Sequence, residues 1–171
     1  MKFSLIPQYA FRDFSEISPD FLVKLGVKFL MLDLDNTLAS YSERFPADSV
    51  LKWIADLKAN GILPFFVSNS KRKGRVESFA KAFDIGYIKR ARKPSIKGLL
   101  QAMEQTGFNT DNSALLGDQI FTDTLAANRA SVISIIVKPR SNKNPFYSIR
   151  FIIEAPFRAA CLKKMTTGGD E

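Results

Sequence analysis

Five short apolar runs punctuate the chain, at 28–33, 62–67, about 85–88, 113–117 and 132–137. The second, Ile62-Leu63-Pro64-Phe65-Phe66-Val67, offers water no polar face, as expected of a strand covered on both sides. Between the runs, helical spacing of apolar residues predicts helices over 19–25, 49–59, 74–83, 95–106 and 121–130. Several ends are marked. Ser18 before Pro19 fits an N-cap with a first-turn proline, Ser95 is placed to cap the helix after it, and Gly61 and Gly107 stand where helix C-termini favour positive φ. This alternation predicts the α/β class, with a doubly wound parallel sheet of the Rossmann-like kind. In such sheets ligands bind at the carboxyl ends of strands, beside a reversal of strand order.

The residues just past each predicted strand are polar and chemically specific. After the first come Asp33, Asp35 and Thr37; after the second, Ser68, Asn69 and Ser70; after the third, Lys93-Pro94; after the fourth, Gly117-Asp118-Gln119 and then Thr122-Asp123. Because strand side chains alternate, Asp33 and Asp35 emerge on the same side, where two negative charges repel unless a cation or phosphoryl group sits between them. Each residue also has a plainer reading. Thr37 fits a turn hydrogen bond, Ser68-Asn69-Ser70 and Asp123 fit helix caps, Gly117 fits a close backbone approach, and Lys93 fits a solvent-exposed lysine. Together, four strand ends deliver carboxylates, a hydroxyl or amide and one lysine to a common rim. That set suits phosphoryl transfer: a carboxylate nucleophile, a second carboxylate as acid and base, Mg²⁺ on hard oxygen donors, and lysine and serine on the phosphoryl oxygens.

Composition removes competing chemistries. Histidine is absent, which excludes a Ser-His-Asp triad and the usual zinc sites from the chain's own side chains. The lone Cys161 has neither a disulfide partner nor a histidine to activate it. With 171 residues, the expectation is a single domain over 1–165 and a disordered tail over 166–171. The first dozen residues make a poor secretory signal, and no apolar run approaches the roughly 18 residues of a membrane span, so a cytoplasmic protein is expected. Net charge is +8, concentrated between Lys71 and Lys93, where nine lysines and arginines face Glu77 and Asp84. Such a field attracts phosphate, nucleic acid or anionic lipid, and equally suits a merely solvated surface.

The wording Asp33-Leu34-Asp35-Asn36-Thr37, Ser68-Asn69, Lys93-Pro94 and Gly117-Asp118-Gln119-Ile120-Phe121-Thr122-Asp123 resembles, in order, the four motifs of the haloacid dehalogenase (HAD) superfamily. More narrowly it is similar to the subfamily IIIA phosphatases of the YqeG type, over roughly residues 5–140. The resemblance implies Asp33 as nucleophile and Mg²⁺ ligand, and Asp35 as acid/base that also ligates the metal through its carbonyl. Ser68, with Thr37 and Asn69 beside it, would contact the phosphorylated substrate. Lys93 would neutralise phosphoryl charge, and Asp118 and Asp123 would complete the metal site. Where relatives often carry a glycine pair, this chain has Leu125-Ala126-Ala127-Asn128-Arg129.

HAD enzymes often select substrates with an inserted cap domain. Here 35 positions separate Asp33 from Ser68 and 25 separate Ser68 from Lys93, leaving room for one helix and its strand each time. A capless, open site suits a phosphate on a large or surface-bound molecule, or a site closed by a second subunit in a homo-oligomer. Over Phe146 to Glu154 and, after Pro156, Phe157 to Lys164, apolar residues mix with cations in two short helix-like segments. These either cover the domain or touch an anionic membrane peripherally. The resemblance adds a specific alternative, since eukaryotic relatives act on phosphatidylglycerophosphate. A rival from another class is a non-catalytic nucleic-acid-binding or scaffold protein using Lys71 to Arg75 and Lys89 to Lys93, which the Asp33–Asp35 pair argues against.

Overall fold

The computed structural model describes residues 3–141 and 145–167. Six strands form one parallel sheet: β1 (Tyr9–Ala10), β2 (Phe29–Leu32), β3 (Leu63–Ser68), β4 (Tyr87–Lys89), β5 (Ser113–Gly117) and β6 (Ile133–Ile136), in the order β1-β6-β5-β2-β3-β4. The helices are α1 (Pro19–Lys24), α2 (Asp48–Ala59), α3 (Arg75–Phe83), α4 (Lys97–Thr106), α5 (Leu125–Ala130) and α6 (Pro145–Thr167), with a π-helical turn over Ile120–Thr124 leading into α5.

Strand side chains divide between two cores as the period of two requires. Leu30, Leu32, Phe66 and Leu116 face α2 and α3, meeting Trp53, Ile54, Phe79 and Phe83. Phe29, Met31, Phe65 and Leu115 face α4 and α5, meeting Leu99, Met103, Ala126 and Ala127. The chain steps from β2 to β3 to β4 with its helices on one face, then crosses to β5 and β6 with its helices on the other. Right-handed crossovers on a sheet that reverses direction demand this arrangement. No cap domain interrupts it. The segment 33–68 holds only α2 and β3 with their loops, and 68–93 only α3 and β4 with theirs.

The ends of elements follow local chemistry. Ser18 Oγ accepts from Phe21 N at 3.2 Å, as the Ser-Pro pair predicts, and Gly107 closes α4 at φ +74°. Ser95 is displaced from the predicted cap: Ile96 occupies that position, and Ser95 Oγ accepts from Lys97 N at 3.4 Å. Strand β1 escapes the sequence pattern because two residues cannot show a period; pairing with β6, through Gln8 N to Ser134 O at 3.0 Å and Phe11 N to Ile136 O at 2.9 Å, makes it.

The two predicted C-terminal segments are one helix, α6, with Pro156 inside it. Proline removes one backbone hydrogen bond at a cost of about 3 kcal/mol. Anchoring on both sides, by Glu154 before it and by Arg158 and Cys161 after it, all buried, holds the helix across the break. Thr166 and Thr167, expected in a disordered tail, are helical, and the remainder of that tail lies outside the described residues. Among the described residues, no helix is long and apolar enough to cross a membrane.

Candidate active site

Strand order reverses between β2 and β5, and the residues just past these two strands, with those past β3 and β4, surround a cleft of about 460 Å³. Asp33 and Asp118 leave β2 and β5, and Asp123 hangs from the π-helical turn. One carboxylate oxygen from each of the three lies within 4.8 Å of the others, and all three residues are buried. Lys93, 4% exposed, reaches Asp33 Oδ1 at 2.7 Å and Asp123 Oδ1 at 2.8 Å. Thr37 Oγ1 donates weakly toward Asp33 Oδ2 at 3.4 Å and Asp118 Oδ1 at 3.3 Å.

Lys93 is the one ammonium bonded within this group of three buried carboxylates, and the proton affinities of Asp33 and Asp118 record the shortage. Desolvation drives the Asp33 carboxyl up to about 7, with Lys93 pulling it down and Asp123 pushing it further up. Asp118 is raised well above the usual range by burial and by the charges of Asp123 and Asp33. Burial alone would depress Lys93, but Asp123 and Asp33 hold it above the ordinary lysine value.

Asp35 has a different partner. Arg75, in the first turn of α3, donates from Nε to Asp35 Oδ1 at 2.6 Å. Its other nitrogens donate to Ser40 O at 2.8 Å and to Glu43 O, and its guanidinium lies 4.9 Å from the Phe79 ring centre. Arg72 adds a bond to Tyr41 O, so the loop carrying Tyr41 into the cleft is tied to the segment that opens α3. Composition alone puts Arg75 on a basic surface running from Lys71. It is instead 8% exposed, because it lies one helical turn before Phe79 on the buried face of α3.

Ser68 is fully buried and lines the cleft, and its Oγ accepts from Ser70 N at 3.1 Å. The next helix starts only at Arg75, behind Gly74, so the capping reading of Ser68-Asn69-Ser70 fails. Asn69 also lines the cleft, and its amide clamps the lysine loop: Nδ2 donates to Lys93 O at 2.9 Å, and Oδ1 accepts from Lys93 N at 2.8 Å. Arg129 supports the same loop through Pro94 O at 3.2 Å. Asp123 Oδ2 accepts from Gln119 N at 3.0 Å, closing its own turn. A Cβ on Gly117 would stand 2.3 Å from Asp123 Cγ, so this glycine is what lets Asp123 approach β5.

Helix α6 completes the floor. Arg158 donates to Asp118 O and to Val137 O at 3.0 Å, and pairs with Glu154 at 3.3 Å; Glu154 Oε1 accepts from Phe121 N at 3.3 Å. Arg150, from the same helix, reaches Gln119 and lines the cleft. The sequence pattern singles out none of these three.

No protein-family model matches the chain. A Bacillus subtilis (strain 168) protein named "Probable phosphatase YqeG" is 30% identical over 146 residues, covering 85% of this chain and 84% of the relative. The chain belongs to the YqeG family of probable phosphatases. Its fold is similar to the cobalt-bound deoxy-D-mannose-octulosonate 8-phosphate phosphatase of Haemophilus influenzae, at TM-score 0.53 and 14% identity, covering 80% of this chain and 92% of that one. It is also similar to the Moraxella catarrhalis 3-deoxy-D-manno-octulosonate 8-phosphate phosphatase in complex with magnesium, phosphate and sugar acid, at TM-score 0.51 and 15% identity, covering 84% and 97%. In this YqeG-type chain, Ala126 and Ala127 are fully buried between α5 and the sheet. Their methyl groups join the core that β2, β3 and β5 share with α4.

Proposed function

We propose that the chain is a Mg²⁺-dependent phosphomonoesterase that works through a phospho-Asp33 intermediate. The observation that carries this reading is Lys93 bridging Asp33 and Asp123 with Asp118 within 4.8 Å, at the carboxyl edge of the sheet. Buried hard oxygens that are short of positive charge suit Mg²⁺, held by Asp33, Asp118 and Asp123 together with the Asp35 carbonyl. When bound, the ion supplies positive charge to the phosphoryl oxygens. An Asp33 carboxylate oxygen forms the new bond to phosphorus as the ester oxygen leaves with a proton from Asp35. Asp35 then takes a proton from water, whose oxygen attacks the phosphoryl group and frees Asp33 and phosphate. Lys93 and Ser68 neutralise the transferred group, with Thr37 orienting carboxylates and Asn69 setting the lysine loop.

The test is hydrolysis of p-nitrophenyl phosphate with Mg²⁺ or chelator, by wild type and Asp33→Asn. Wild-type turnover only with Mg²⁺, and none by the variant, is expected. Equal turnover by both proteins refutes the reading.

A second reading, a phosphatidylglycerophosphate phosphatase at an anionic membrane, is favoured by the exposed Ile149, Ile152 and Ile153 on the helix that brings Arg150 to the cleft. It requires higher efficiency on that lipid in vesicles than on soluble glycerol phosphate, and no preference eliminates it.

A further inference from the structure

Beside the catalytic cleft lies a second one, of about 420 Å³, lined by Asn69, Lys71, Arg90 and Arg92. The two share Asn69 and Lys71 as lining residues, so they adjoin beside the tip of β3. No carboxylate among the described residues lines the second cleft. Among those residues, no ion pair engages Lys71, Arg90 or Arg92. Glu77, the acid that feels Arg90, is committed to Lys89 at 2.6 Å.

The loop that carries the two arginines is firmly built. Arg90 and Arg92 have φ +52° and +57°, left-handed values that a turn alone would fill with glycine or asparagine. Between them Ala91 is buried, donates from N to Ser68 O at 2.9 Å, and has Gly98 so near that a Cβ there would meet Ala91 Cβ at 2.8 Å. Ala91 and Lys93 therefore point inward while Arg90 and Arg92 are exposed on the other side. The same short segment delivers Lys93 to the reacting centre and two guanidinium groups to the adjoining cleft.

We propose that this cleft is a subsite for a second phosphate or phosphodiester group, borne by the same molecule whose phosphomonoester reaches Asp33. This rests on the phosphatase reading and narrows its substrates to phosphomonoesters with a second, remote anion. Guanidinium forks suit such oxygens, and a loop with a fixed backbone leaves only the side chains to be ordered on binding.

The experiment measures kcat/KM on a length series of α,ω-alkanediol monophosphates and the matching bisphosphates. Turnover of the monophosphates reports on the phosphatase reading alone. The subsite requires a bisphosphate preference of about tenfold or more at one chain length, expressed in KM and reduced by salt. A parallel arm offers the second group as a phosphodiester on a lipid in vesicles; preference there rather than in the soluble series assigns the group to a lipid headgroup. The variant is Arg90→Asn with Arg92→Asn, because asparagine tolerates left-handed φ. Thermal stability should hold or rise while the preference collapses to about twofold or less, a combination that a purely structural turn would not give. Equal efficiency for mono- and bisphosphates in both arms, or a preference that survives the double variant, overturns the proposal. If no ester is turned over, calorimetric titration of the best-fitting bisphosphate decides it: binding lost in the double variant supports the subsite, and no binding, or equal binding by both proteins, removes it.

Discussion

Asp33 and Asp35 leave the same strand two residues apart and end in opposite electrostatic situations. Asp33 shares Lys93 with a second buried carboxylate and has Asp118 close by, so its surroundings lack positive charge. Asp35 has Arg75, whose remaining bonds go to the neutral carbonyls of Ser40 and Glu43. Lys93 comes from a loop clamped to the sheet, whereas Arg75 comes from a helix and itself ties down the loop between β2 and α2. The difference separates a centre with room for another cation from an acid whose direction is set by a single well-placed one.

The strongest way to break this comparison is to neutralise each carboxylate. On the proposed mechanism Asp33→Asn should lower kcat by about 10⁴-fold or more, since it removes the proposed nucleophile and metal ligand together. Asp35→Asn should cost about 10²–10³-fold on a poor leaving group, with phosphoenzyme still forming. Steady-state and rapid-quench kinetics check both, and equal losses with no phosphoenzyme in either would erase the distinction. Next, Lys93→Met should lower kcat/KM by about 10²–10³-fold and weaken phosphate binding even at saturating Mg²⁺. Unchanged phosphate affinity by calorimetry would show that Lys93 serves only the carboxylates.

The Asp35 side offers a smaller and more selective perturbation. Arg75→Gln should destabilise the fold by about 1–3 kcal/mol through an unpaired buried carboxylate, and reduce kcat by roughly tenfold. Arg75→Lys should restore little, because an ammonium cannot span Asp35 and both loop carbonyls. Denaturation midpoints and kcat measured together test this; full rescue by lysine would mean that charge alone matters there.

A test that needs no substitution sharpens the Asp33 side. A carboxyl raised to about 7 in the folded protein keeps a proton that the unfolded chain loses near 4. The folded state therefore binds more protons between those values, and metal-free stability should fall as pH rises from about 4 to about 7. Urea titrations with chelator would show the slope, and Mg²⁺ should flatten it. A metal-free stability that rises across this window contradicts the charge shortage.

The sequence exposes Asp33, Asp35, Lys93, Asp118 and Asp123 because each comes after a strand end, and strand ends are readable from buried apolar runs. Arg75 hides because it closes a run of cations that composition assigns to the surface. The spacing to Phe79 and Phe83, at one and two turns, is the signal that could have placed it inside. Glu154 and Arg158 hide for a related reason: an acid and a base four apart ordinarily mark a solvated helix face. The stripe they form with Cys161 and Met165 points inward. Strand β1 carries no local signal at all, being defined by a partner 126 positions away.

The bond from Arg158 to the Asp118 carbonyl also has a temporal meaning. All six strands are synthesised before α6, so the sheet and its loops can assemble while the floor beneath Asp118 still lacks its guanidinium. During synthesis, the sheet of each new molecule can therefore form before that floor is complete.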